Sequence, residues 1–139
     1  DRGLGLAYAE VSDPRARVYL ERAVPQDWPV RLRLAALERD PSRAAALYES
    51  VLRDNPYETS ALVNLGAWHG GKGRAAEAAA LWERALAVNP ALEAAVLNLS
   101  QVRPPEEARR IVERYLLLDP FSAAARKRLA AFEPGSRRP

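Results

Sequence analysis

The amino-acid sequence predicts an all-α protein built as a stack of helical hairpins. Three observations carry that prediction. Four segments rich in helix formers place apolar residues at intervals of three and four, the helical period. Three of those segments reach a Pro at the same distance downstream. And Leu62-Val63-Asn64-Leu65-Gly66 returns 34 residues later as Val96-Leu97-Asn98-Leu99-Ser100.

The composition agrees. The chain has 139 residues, 48% hydrophobic and 28% charged, the profile of one folded domain rather than a disordered chain. Its apolar runs are too short to cross a bilayer. There is no Cys, so disulfides, Cys-ligated metals and thiol chemistry are excluded. The net charge is +3, and all basic residues but Lys72 and Lys127 are Arg, which matches a GC-rich bacterial genome. Nucleic-acid binding is the other reading of an Arg-rich chain. Acidic residues are interspersed throughout, so the charge reads as a mixed solvated surface. The chain starts Asp1-Arg2-Gly3 and has no Met, which suggests a processed piece with any targeting signal upstream. Its compartment is therefore open, cytoplasmic or periplasmic.

The elements follow in order. The first unit, residues 1–28, carries Ala16, Leu20 and Glu21 on its second helix, and Asp1 cuts its first helix short. The second, 29–56, has a short first helix from Val30 to Arg39 with Leu34 and Leu37, then Ala44, Tyr48 and Glu49. The third, 57–90, holds the Asn64 helix, a Gly70-Gly71-Lys72-Gly73 turn, and Ala78, Trp82 and Glu83. The fourth, 91–120, holds the Asn98 helix, then Pro104-Pro105 in place of the Gly-rich turn, then Ala108, Val112 and Glu113. Asn55-Pro56, Asn89-Pro90 and Asp119-Pro120 close these units. The Pro cannot continue the preceding helix and suits the first turn of the next, which the Asx side chain would cap. Phe121 to Phe132 is expected as a capping helix with a solvated Arg126-Lys127-Arg128 face, within a cap at 121–133. Residues 134–139 are expected to be disordered.

The register Leu62-x2-Leu65-Gly66-x2-His69, Ala78-x3-Trp82, Pro90 resembles the tetratricopeptide repeat. Val96-x2-Leu99-Ser100-x2-Arg103, Ala108-x3-Val112, Pro120 is a weaker copy, and Leu4-Gly5-x2-Tyr8, Ala16-x3-Leu20 weaker still. The resemblance implies a right-handed α-solenoid of about four hairpins plus the cap. It also implies that Gly66, Ser100 and Gly5 let paired helices approach, facing Ala78, Ala108 and Ala44, while Trp82, Tyr48, Leu20 and Val112 fill the space between hairpins.

The resemblance further implies a non-catalytic protein-interaction scaffold, its first helices lining a concave groove that holds a protein or peptide segment. Asn64 and Asn98 would lie in that groove, similar to asparagine ladders that grip a peptide backbone, since an amide both donates and accepts. Val63, Ala67, Leu97 and Gln101 would share the face. The plainer alternative is that each Asn bonds a neighbouring helix. The family's carboxylate clamp maps onto Ala35, Arg39, Asn64, Ala94 and Asn98, a set that lacks most of the required cations. Two other functions stay open. One is a nucleic-acid-binding array, hinted at by Arg31, Arg33 and Arg39 but without interleaved aromatics. The other is a docking or oligomerising tail of a larger multi-domain enzyme.

No catalytic residue, metal site or cofactor is expected. His69-Gly70-Gly71-Lys72-Gly73 lacks the strand and the Ser or Thr of a phosphate loop. His69, the only His, has no nucleophile beside it in sequence and reads as a packed side chain. Glu21, Glu49, Glu83 and Glu113 fall on one repeat position, a solvated face rather than a paired acid site. Trp68 either fills space beside the short second unit or anchors a partner.

Overall fold

The computed structural model describes residues 27–135. Seven helices lie among them: α1 (Trp28–Leu37), α2 (Pro41–Asp54), α3 (Thr59–Gly71), α4 (Ala75–Val88), α5 (Glu93–Val102), α6 (Pro105–Leu118) and α7 (Ala123–Ala130). The expectations for the first unit, including Leu4, Gly5, Tyr8, Ala16 and Leu20, lie outside the described residues, as do 136–139 of the tail. The chain divides into two compact units, with the boundary inside α3 between Leu65 and Gly66.

In the first unit α1 packs against α2. Asp27 caps α1 by accepting from the Val30 amide, with Pro29 in the opening turn. Asp40 caps α2 by accepting from the Ser42 amide at 2.9 Å, with Pro41 opening the helix. Val30 and Leu34 form a small core with Leu37 and Leu47 packed on it. Arg31 reaches from α1 to α2, donating to the Ser50 carbonyl at 3.0 Å and pairing with Asp54. Arg31 thus serves its own hairpin, and the stripe it was expected to form with Arg33 and Arg39 loses its first member.

In the second unit α4 packs on α5, α5 on α6, and α7 on both α5 and α6. Here α3 runs through Gly70 and Gly71, so the turn is shorter than the expected four residues. Gly73, at φ +76°, ends it. The Arg74 amide donates back to the His69 carbonyl at 2.9 Å and the Gly73 amide to Gly70 at 3.1 Å, a Schellman closure that needs a left-handed residue. Those two extra helical residues put Gly70 one turn beyond Gly66, and both face Trp82. A Cβ on Gly66 would lie 2.5 Å from the indole Nε1, and one on Gly70 3.3 Å from the ring's far edge. Trp82 therefore packs inside its own hairpin, against α3.

The Asx-Pro corners also work differently from expectation. Asn55, Asn89 and Asp119 cap the helix that ends, their amides donating to Val51, Ala85 and Tyr115. The Asn55 and Asn89 side chains then accept from the amides of Tyr57 and Ala91, closing an Asx turn. The next helix begins after that turn, so these prolines lie ahead of it. Pro29, Pro41 and Pro105 are the ones inside a first turn.

The capping helix is shorter than Phe121–Phe132. Ser122 caps it by accepting from the Ala125 amide at 3.1 Å, which leaves Phe121 in the preceding turn, 86% exposed. Its basic face is not wholly solvated. Arg126 and Lys127 are exposed, but Arg128 turns inward: its Nε donates to Ser100 Oγ and its Nη2 to the Ser100 carbonyl, both at 2.9 Å, and its guanidinium lies 4.7 Å from the Phe132 ring.

Candidate functional site

The expected site residues lie on α3 and α5. At about 100° per residue, Val63, Asn64 and Ala67 span one arc of α3, and Leu97, Asn98 and Gln101 the same arc of α5. In the first unit Val63 is half-buried and Asn64 exposed. The Asn64 amide donates to the Ser60 carbonyl one turn back, at 2.8 Å, so its NH2 group bonds its own helix. In the second unit Ala67 and Gln101 are exposed, and Leu97 and Asn98 half-buried. Asn98 has no hydrogen bond among the described residues. Neither amide spends its hydrogen bonds on a neighbouring helix.

The other side of α5 is apolar. Val96 and Leu99 point away from Asn98 and Gln101, and form the floor of a groove between α4 and α6. Leu86 contributes from α4, Ile111 and Leu118 from α6. The cavity measures about 430 Å³. Glu83 and Arg114 line its walls, and Glu83 is already paired with Arg103. The sequence reading missed this groove, because its walls come from helices 30 residues apart in the chain. The one available signal was a second apolar position on each B-type helix, Leu86 and Ile111, beyond the repeat's own consensus.

Beneath one end of the groove Tyr115 is almost fully buried and donates to Glu93 Oε2 at 3.0 Å, with Asp119 Oδ2 at 3.3 Å. Ser122 Oγ donates to the same Glu93 oxygen at 3.0 Å. Burial, then the Glu93 carboxylate, push the Tyr115 phenol up to about 12. A phenol held neutral this firmly ties α5, α6 and the α7 cap together. It is not poised to give up a proton near neutrality.

His69 and Trp68 sit edge to face at 5.0 Å, and the Arg74 guanidinium covers the indole at 5.1 Å. His69 Nδ1 and Trp68 Nε1 are buried without a hydrogen-bond partner among the described residues. Trp68 is half-buried and engaged within its unit. Among the described residues no cluster of His, Cys, Asp or Glu could hold a metal ion. None of their helices is long and apolar enough to cross a membrane.

No protein-family model and no curated protein sequence matches the chain. Solved structures are similar to it along most of its length. A tetratricopeptide repeat protein from Parabacteroides merdae matches with a TM-score of 0.77 at 18% identity, covering 95% of this chain and 57% of that one. Two crystal structures of MamA match with TM-scores of 0.66 and 0.63 at 16% and 15% identity, covering 90% and 99% of this chain and 74% and 76% of theirs. The chain spans little more than half of the Parabacteroides protein. At these identities the likeness establishes the fold: an all-α tetratricopeptide-repeat architecture.

Proposed function

We propose that this chain, with its tetratricopeptide-repeat fold, is a non-catalytic scaffold that holds a protein segment through the amide-bearing face of α5. Folds do not dictate function, so the likeness to repeat proteins supports only a general interaction role. The observation that favours the amide face is the state of Asn98. A half-buried amide with no hydrogen bond among the described residues has donors and an acceptor to offer a peptide backbone. Asn64, exposed on α3, has its NH2 group bonded to Ser60 and is the less available amide. Leu97 supplies apolar surface beside Asn98, and Gln101, exposed one turn along, offers a second amide.

The test begins with capture of partners from the source lysate, followed by calorimetry with the purified partner. Asn98→Ala is expected to weaken binding about tenfold, roughly 1.4 kcal/mol, the scale of a lost amide pair at a desolvated contact. Binding unchanged in Asn98→Ala would overturn the assignment. Recovery of nucleic acid alone, lost steeply as salt rises, would replace it with the nucleic-acid reading.

A further inference from the structure

We propose that the groove between α4 and α6 is a second docking site, and that its occupant is an acidic amphipathic helix of a protein partner. The site is separate from the amide face: its floor, Val96 and Leu99, lies on the side of α5 opposite Asn98 and Gln101. Three properties define the occupant.

The first is shape. A cavity of about 430 Å³ lined from α4, α5 and α6 takes a row of apolar side chains, not a flat surface. A helix presenting apolar residues at i, i+3, i+4 and i+7 offers such a row. The second is polarity. Leu86, Val96, Leu99, Ile111 and Leu118 give an apolar floor and walls, and Leu118 is 57% exposed at the rim. Leu117, beside Leu118 in the chain, and Phe121, three residues on, are also apolar and are 82% and 86% exposed.

The third property is charge. Two charged residues line the groove. Glu83 is paired with Arg103, at the C-terminal end of α5. Arg114 has no ion pair among the described residues, and Arg110, one turn earlier on α6, has none either. Arg109, by contrast, is held by Glu113 at 2.8 Å on the far side of the helix. The uncompensated charge on the groove wall is therefore positive. A guanidinium beside an apolar trough selects a carboxylate at the edge of an apolar ridge, with bidentate geometry available.

The probe is a display library of helical peptides selected on the full chain, followed by fluorescence anisotropy with the strongest peptide. The expected winners carry Leu, Ile or Phe at helical spacing with Asp or Glu along one edge. Arg114→Glu is expected to weaken the acidic peptide at least tenfold, and to gain affinity for the same peptide with its acidic residues changed to Lys. Leu118→Glu, at a rim position that folding tolerates, is expected to abolish binding. Asn98→Ala is expected to leave this peptide's affinity unchanged, so failure here is distinguishable from failure of the amide-face reading. Selection of no helical peptide, or of basic ones, would overturn the proposal. So would equal affinity in Arg114→Glu. Concentration-dependent dimerisation lost in Leu118→Glu would show that a second copy fills the groove instead. Binding to vesicles of anionic lipid, with no peptide selected, would assign the patch to a membrane surface.

Discussion

Gly66 and Ser100 stand at the same place in two successive hairpins, yet they do different work. At Gly66 the partner is Trp82, and the contact is so close that no Cβ fits. The junction is apolar, and a small residue is required by volume alone. In the second hairpin the place that Trp82 takes in the first belongs to Val112, a much smaller residue, and Ser100 carries a Cβ and a hydroxyl while buried. The hydroxyl donates to the Leu97 carbonyl at 2.7 Å and accepts from Arg128. The repeat consensus asks for a small residue in both. The first hairpin uses it for close packing, and the second uses it to receive the capping helix.

That contrast orders the effects of mutation. Trp82→Ala empties the interior of the α3–α4 hairpin, where the indole is 4% exposed, and is expected to cost about 3–5 kcal/mol in chemical denaturation. Val112→Ala at the matching place removes two methyl groups, and is expected to cost clearly less. Gly66→Ala comes next. Overpacking costs about 1–3 kcal/mol, and the higher helix propensity of Ala returns up to about 1 kcal/mol. In a Trp82→Ala background the same change is expected to become neutral or stabilising, because its clash is gone. Additive effects there would break the comparison.

Arg128→Ala is expected to cost about 1–2 kcal/mol, since it leaves Ser100 Oγ and its carbonyl without their charged donor. A double-mutant cycle with Ser100→Ala should return a coupling of about 0.5 kcal/mol or more. No coupling would mean that α7 docks through Leu129 and Phe132 alone, which also pack on the core.

The smallest effect is a pH dependence. The Tyr115 phenol titrates at about 12 when folded, against about 10 when unfolded. The unfolded chain loses this proton first, so the contribution is complete below about pH 10 and is lost as pH rises toward 12. Tyr115→Phe is expected to flatten the fall of stability in that window, read by urea unfolding at a series of alkaline pH values. An unchanged slope would show that the Glu93 network does not hold the phenol.

Much of the hairpin stack was legible in the sequence, for physical reasons. Apolar period, Ala-x3-Trp82 spacing and Asx-Pro corners are local, and helices are made of local contacts. The Gly66 junction was legible too, although its facing residue is Trp82 rather than Ala78. What escaped depends on contacts between distant positions. Arg128 reads as one more surface cation until α7 is laid on Ser100, 28 residues away. Arg31 reads as part of a basic stripe until α2 brings Ser50 and Asp54 beneath it. The exit of α3 was misplaced because Gly70 and Gly71 look like breakers, and only the Trp82 contact shows why helical glycines are useful there. The apolar groove needed α4, α5 and α6 assembled before any of its walls faced another.

The most direct test of the scaffold reading is site-specific photocrosslinking to the captured partner. A benzophenone side chain is placed at Gln101, on the amide face of α5, or at Glu77, exposed on α4 and away from its groove-lining residues. A crosslink from Gln101 that is lost on adding Asn98→Ala, with none from Glu77, is the predicted result. Crosslinks of equal yield from both positions, or from Glu77 alone, would contradict it.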